Sequence, residues 1–204
     1  MKKKILAAVL ACALCVGIGV GGTLAWLTAT TPAVTNTFTV GDIDISLTET
    51  TGTSYKFVPG DTIAKDPTVT VEADSEACYL FIHVTDANNT ITDTANHNKI
   101  IDWAVASGWT AVTGHDGYWY RMVSASTSDQ SFAVLTDGIS TDDKVGSVKV
   151  STEVTKEMVD TINTAATQPT ITVTAAAIQQ DNVTDLADAW SKLSETFTGV
   201  TSGT

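Results

Sequence analysis

Between Cys78 and Val84 the chain places Cys78, Leu80, Ile82 and Val84 in one phase and Tyr79, Phe81 and His83 in the other. Strand side chains alternate between faces with period two, so a strand with bulky groups in both phases must be covered on both sides. This segment therefore predicts the central strand of a sheet. Threonine supplies 36 of the 204 residues; its branched β-carbon favours extended backbone and its hydroxyl tolerates a solvent face. The chain reads as mainly β.

Other segments extend the pattern. Phe38 and Val40 alternate with threonines, and Ile43, Ile45 and Leu47 alternate with polar residues. The apolar phase slips at Gly41-Asp42, which predicts a bulge or bend. Val58-Pro59-Gly60-Asp61 suits a type II turn. Val69 and Val71, Phe132 to Leu135, Val148 to Val154 and Thr170 to Ala177 read as strands. Trp109 to Thr113 and Tyr118 to Val123 flank Gly114-His115-Asp116-Gly117 as a hairpin would. Residues 86–98 read as a polar loop. Thr155 to Asn163 predicts a short helix. Leu186, Trp190, Leu193 and Phe197 fall on one face of another, capped by Asn182 or Thr184, with Asp185 near its positive end. Seven or eight short strands with helices at the edges predict an antiparallel β-sandwich.

Upstream, Lys2, Lys3 and Lys4 precede an uncharged apolar run from Ile5 to Val20, and Thr23 and Ala25 are small residues two apart. These are the three regions of a secretory leader cleaved after Ala25, with Trp26 as the new N-terminus. A membrane anchor fits less well because glycines and the Thr23-Leu24-Ala25 exit follow the run. A lipidated Cys12 would leave too short an apolar stretch. The expected organisation is a signal peptide over 1–25 and one domain over 26–204. Cys12 and Cys15 leave with the leader, so Cys78 has no partner in its own chain and reads as a small buried hydrophobe. The net charge of −12 becomes more negative once the leader lysines are gone. Like-charge repulsion argues against nucleic acid and anionic membrane surfaces as partners, leaving membrane contact to the leader alone.

The ordered set Gly21-Gly22-Thr23-Leu24-Ala25-Trp26-Leu27, Asn36-Thr37-Phe38-Thr39-Val40-Gly41-Asp42-Ile43-Asp44-Ile45 and Val58-Pro59-Gly60-Asp61 resembles the TasA and camelysin family of exported proteins, which a SipW-type signal peptidase matures. Asp116-Gly117-Tyr118-Trp119-Tyr120, Ala175-Ala176-Ala177-Ile178-Gln179 and Ala187-Asp188-Ala189-Trp190 are similar to later parts of such proteins. The resemblance implies a jelly-roll-like sandwich, export from a Gram-positive-type cell, and a surface or biofilm-matrix subunit that self-associates into filaments, with an accessory matrix protein as a further partner. It also implies that an N-terminal strand is donated to the next subunit. Pro32 lacks the N–H that a paired strand needs, which confines the donor to residues 34–40, with Val34, Asn36, Phe38 and Val40 as its assembly residues.

Camelysin-like members are described as metallopeptidases, which makes the ligand inventory decisive. The histidines are His83, His97 and His115, and no His-Glu-x-x-His places two of them one helical turn apart around a glutamate. His97 followed by Asp102 has no recognised mechanism. Asp42 with Asp44, and Asp142 with Asp143, lack the ligand spacing of a calcium loop. No Gly-x-Ser-x-Gly selects a serine nucleophile. The expectation is a non-enzymatic structural subunit with no catalytic, cofactor or metal residues. A surface metalloendopeptidase and a monomeric adhesin or binding module are the alternatives.

Overall fold

The computed structural model of the chain describes residues 42–52, 55–91, 99–138, 144–162 and 168–199. All lie in the compact unit Gly41–Thr204. The strands are β1 (Ile45–Thr48), β2 (Thr62–Ala64), β3 (Thr68–Val71), β4 (Cys78–Ala87), β5 (Ile101–Asp102), β6 (Ala104–Val105), β7 (Thr110–Ala111), β8 (Tyr118–Val123), β9 (Gln130–Ala133), β10 (Leu135–Thr136), β11 (Ser147–Val150) and β12 (Thr170–Gln179). Two helices, α1 (Lys156–Ile162) and α2 (Leu186–Gly199), flank them. Every strand pairing is antiparallel, in the orders β12-β4-β8-β7, β1-β3-β9, β2-β11-β5 and β10-β6. The fold is a mainly-β sandwich, as the alternation predicts.

β4 is the central strand. It pairs with β12 on one side and β8 on the other. Its Cys78, Leu80, Ile82 and Val84 are buried against Val69 and Val71 of β3, Leu135 of β10 and Val148 and Val150 of β11. Fully burying each Val, Leu or Ile stabilises the fold by about 1.5–3 kcal/mol. The opposite face carries Phe81, fully buried with Ala189 and Leu193 of α2, while Tyr79, Tyr120 and Trp190 pack around them. The spacing of Leu186, Trp190 and Leu193 thus produces a helix that lies on the sheet.

Local chemistry fixes the turns. Pro59 and Gly60 form the expected turn, with Gly60 at φ +83° and the Asp61 N–H donating to the Val58 carbonyl at 3.1 Å. Gly60 also donates to the Val150 carbonyl at 3.0 Å, which ties the turn to β11. The hairpin between β7 and β8 has Gly114 and Gly117 at positive φ.

Four details differ from the sequence reading. The strand expected over Phe132 to Leu135 breaks at Val134, because β9 pairs with β3 whereas β10 pairs with β6; Val134 bonds to Pro67 and Ala106 instead. The alternation from Val148 continues as a strand only to Val150, where Ser151 to Glu153 turn the chain towards α1. The cap of α2 is Asp185, whose Oδ1 accepts the Asp188 N–H at 2.9 Å while Asp188 Oδ2 accepts the Thr184 N–H at 3.0 Å. Thr184 does not supply that bond, and the Asn182 side chain lies outside those described; a short carboxylate one residue before the helix is well placed to do so. Finally, Ile43 and Ile45 pack on the core, but Leu47 is 41% exposed, since β1 is an outer strand of its sheet. The phase slip at Gly41-Asp42 and the end of the α1 segment at Asn163 reach outside the described residues.

Candidate functional site

β12 is hydrogen-bonded to β4 along all ten of its residues and, among the described residues, to no strand on its other edge. β1, the outer strand of its own sheet, lies beside that edge without pairing to it. At the Thr170–Val173 end of the edge opens a groove of about 840 Å³. Phe57, Ile63, Val148, Val159 and Ile162 give it apolar walls, and Ile171 and Val173 reach it from β12 itself. Such a groove accepts an extended segment well. The strand edge offers backbone N–H and C=O groups, and the walls take alternate apolar side chains.

The mouth is braced by charge. Lys65 Nζ lies 3.0 Å from both Glu49 oxygens, with only 12% and 19% of the two side chains exposed. The Tyr55 hydroxyl donates to Glu49 Oε1 at 2.6 Å and contacts the Gly52 carbonyl. Burial, and then the bond to Glu49, raise the Tyr55 pKa. Glu49 is thus engaged by two donors at once and is poorly placed to act as a base. Next to it, Asp66 accepts from the backbone N–H groups of Thr50 and Thr51 at 2.9 and 3.1 Å and from their hydroxyls at 2.5 and 2.9 Å. These bonds, led by the Thr50 hydroxyl, hold the Asp66 carboxyl down at about 2. Together the two carboxylates fasten the segment after β1 to the end of β2.

The structure disperses the other residues considered from sequence. His83 stacks on Tyr118 with ring centroids 3.9 Å apart and an interplanar angle of 3°. Burial lowers its pKa. His115 packs against Trp190 at 4.5 Å. Among the described residues, no three His, Cys, Asp or Glu side chains converge as a metal would require. Asp42 Oδ1 accepts the Ile43 N–H at 2.8 Å, whereas Asp44 bonds through its backbone, its N–H donating to Ser75 Oγ at 3.2 Å. Cys78 is fully buried, and burial pushes its thiol up to about 11. The cleavage residues Thr23, Ala25 and Trp26, the assembly residues Val34, Asn36, Phe38 and Val40, and His97, Asp142 and Asp143 lie outside the described residues.

The groove was not legible from sequence. The β12 alternation was readable, but whether a strand is an edge depends on which strands pair with it, and that is decided by contacts across the whole chain. Asp102 belongs to β5, where the backbone of neighbouring Ile101 is bracketed by the Asn89 amide at 2.6 and 2.9 Å. Asn89 in turn donates to Asp86 at 2.8 Å, which also accepts Trp103 Nε1 at 2.9 Å. This network ties the end of β4 to β5.

Among known proteins, the family model described as camelysin metallo-endopeptidase matches residues 1–106. That span reaches the end of β6 and stops before β12. No curated protein and no solved structure matches the chain.

Proposed function

The chain belongs to the camelysin metallo-endopeptidase family, and from that premise we propose that it is an exported structural subunit of a bacterial cell surface or matrix that assembles by strand donation, without peptidase activity. One observation carries this reading: the edge of β12 that pairs with no described strand, beside an apolar groove. The proposed occupant is residues 34–40 of a second copy. Val34, Phe38 and Val40 would enter the apolar walls, and the donated backbone would pair with β12. The chain after residue 40 runs within a few residues into β1, which borders the same edge. A strand inserted there would bridge β1 and β12. Because the donor and the acceptor are different surfaces, the contact is head-to-tail and propagates into a filament.

Maturation is part of the proposal. Cleavage after Ala25 by a SipW-type peptidase frees the donor, and the uncleaved precursor stays unassembled. Electron microscopy of the secreted protein tests the reading. Filaments are expected from residues 26–204 and none from a form lacking residues 26–40; filaments of unchanged width from the shortened form would place the interface elsewhere.

The family description favours one competing reading, a zinc peptidase. Stoichiometric zinc in the purified protein, with caseinolysis lost in His83→Ala or His97→Ala, would establish it in place of the structural role.

A further inference from the structure

Arg121 is the only arginine in the chain. It projects from β8 towards the sandwich interior, where its guanidinium carbon lies 3.7 Å from the centroid of Phe132 and 5.2 Å from that of Trp109. Both rings are held in place: Trp109 Nε1 donates to the Ala133 carbonyl at 2.9 Å, and the two rings meet edge to face at 6.5 Å. Gly108, at φ +87°, packs close to the guanidinium, since a Cβ there would come within 3.1 Å of Nη2, and the Arg121 side chain as a whole is half-buried. Lys65, Lys99, Lys156 and Lys192 each lie within 3.3 Å of a carboxylate. Arg121, by contrast, makes no hydrogen bond or ion pair with any described residue, and its Nε is buried without an acceptor. Contact with the ring faces holds the cation in place but uses none of its five N–H donors.

We propose that Arg121 is a receptor for a carboxylate presented by a second copy of this chain. The planar guanidinium takes a carboxylate through two parallel N–H···O bonds, which an ammonium cannot do. The partner follows from charge: with 23 acidic residues against 11 basic ones, another copy offers many carboxylates and few competing cations. β8 adjoins β7, at the end of the four-stranded sheet away from β12, so this contact is separate from the groove. It rests on the proposed self-association only for the identity of the partner.

Because there is a single arginine, secreted protein labelled with 15N-arginine gives one Nε–H resonance that reports the site directly. Raising the protein concentration should shift it saturably, and about 1 M NaCl, where screening acts over about 3 Å, should reverse the shift. Arg121→Lys, which keeps the charge and loses the fork, should weaken association in sedimentation by about tenfold or more. In Phe38→Asp the filaments should vanish while the Arg121 shift remains, separating this contact from strand donation. An unchanged resonance would overturn the proposal, as would a shift produced by added acetate but not by concentration. Loss of the shift in Phe38→Asp would also overturn it, by making the signal a by-product of donor assembly.

Discussion

At the residue scale, the most exposed prediction concerns Asp66. Its folded pKa of about 2 lies below the unfolded value of about 3.9, so its contribution to stability is complete above the unfolded value and is lost as pH falls through the folded one. Thermal melts of Asp66→Asn should therefore lie below wild type by a constant margin above about pH 5 and converge with it as pH approaches about 2. Asp86 is also depressed: burial opposes ionisation, but bonds from Asn89 and Trp103 and the nearby Lys99 together outweigh it. Phe81 is fully buried between β4 and α2, with Tyr120 and Trp190 rings 6.0 and 5.8 Å away. Phe81→Ala should cost about 3–5 kcal/mol in denaturant unfolding, through lost burial and the cavity left behind.

At the scale of elements, α2 depends on its N-terminus. Asp185→Ala removes the bond to the Asp188 N–H and should cost about 1 kcal/mol, read as a lower denaturation midpoint with an unchanged slope. The elements most legible in the sequence were those specified by local pattern. β4 announced itself by bulk in both phases, the Pro59-Gly60 turn by fixed and positive φ, and α2 by apolar spacing. What escaped were features set by distant partners. The break between β9 and β10 arises because consecutive residues pair with different sheets, and among the described residues β12 pairs on one side only, with β4. The groove mouth escaped for the same reason, since Glu49, Tyr55 and Lys65 meet only once β1 and β2 are placed. The capping aspartate was one residue from where the pattern pointed, since Thr184 and Asp185 both have short side chains able to accept such a bond.

At the scale of the whole molecule, the proposed assembly follows from an edge of β12 that no described strand fills. A charge placed in the donor should block it: Phe38→Asp is expected to fold with unchanged β-type circular dichroism yet form no filaments, because an aspartate would have to enter an apolar groove. The most direct measurement joins the proposed donor to the proposed acceptor in different molecules. Variants with one cysteine added at positions 34 to 40, starting with Asn36→Cys, are mixed with a Thr172→Cys variant under mild oxidation; paired strands bring Cα atoms to about 4.5–5.5 Å, within disulfide reach. Buried Cys78, raised to about 11, should stay silent. The account predicts a mixed disulfide between the two variants at alternate donor positions. Absence of any mixed product across the scan, under conditions where filaments form, would contradict it.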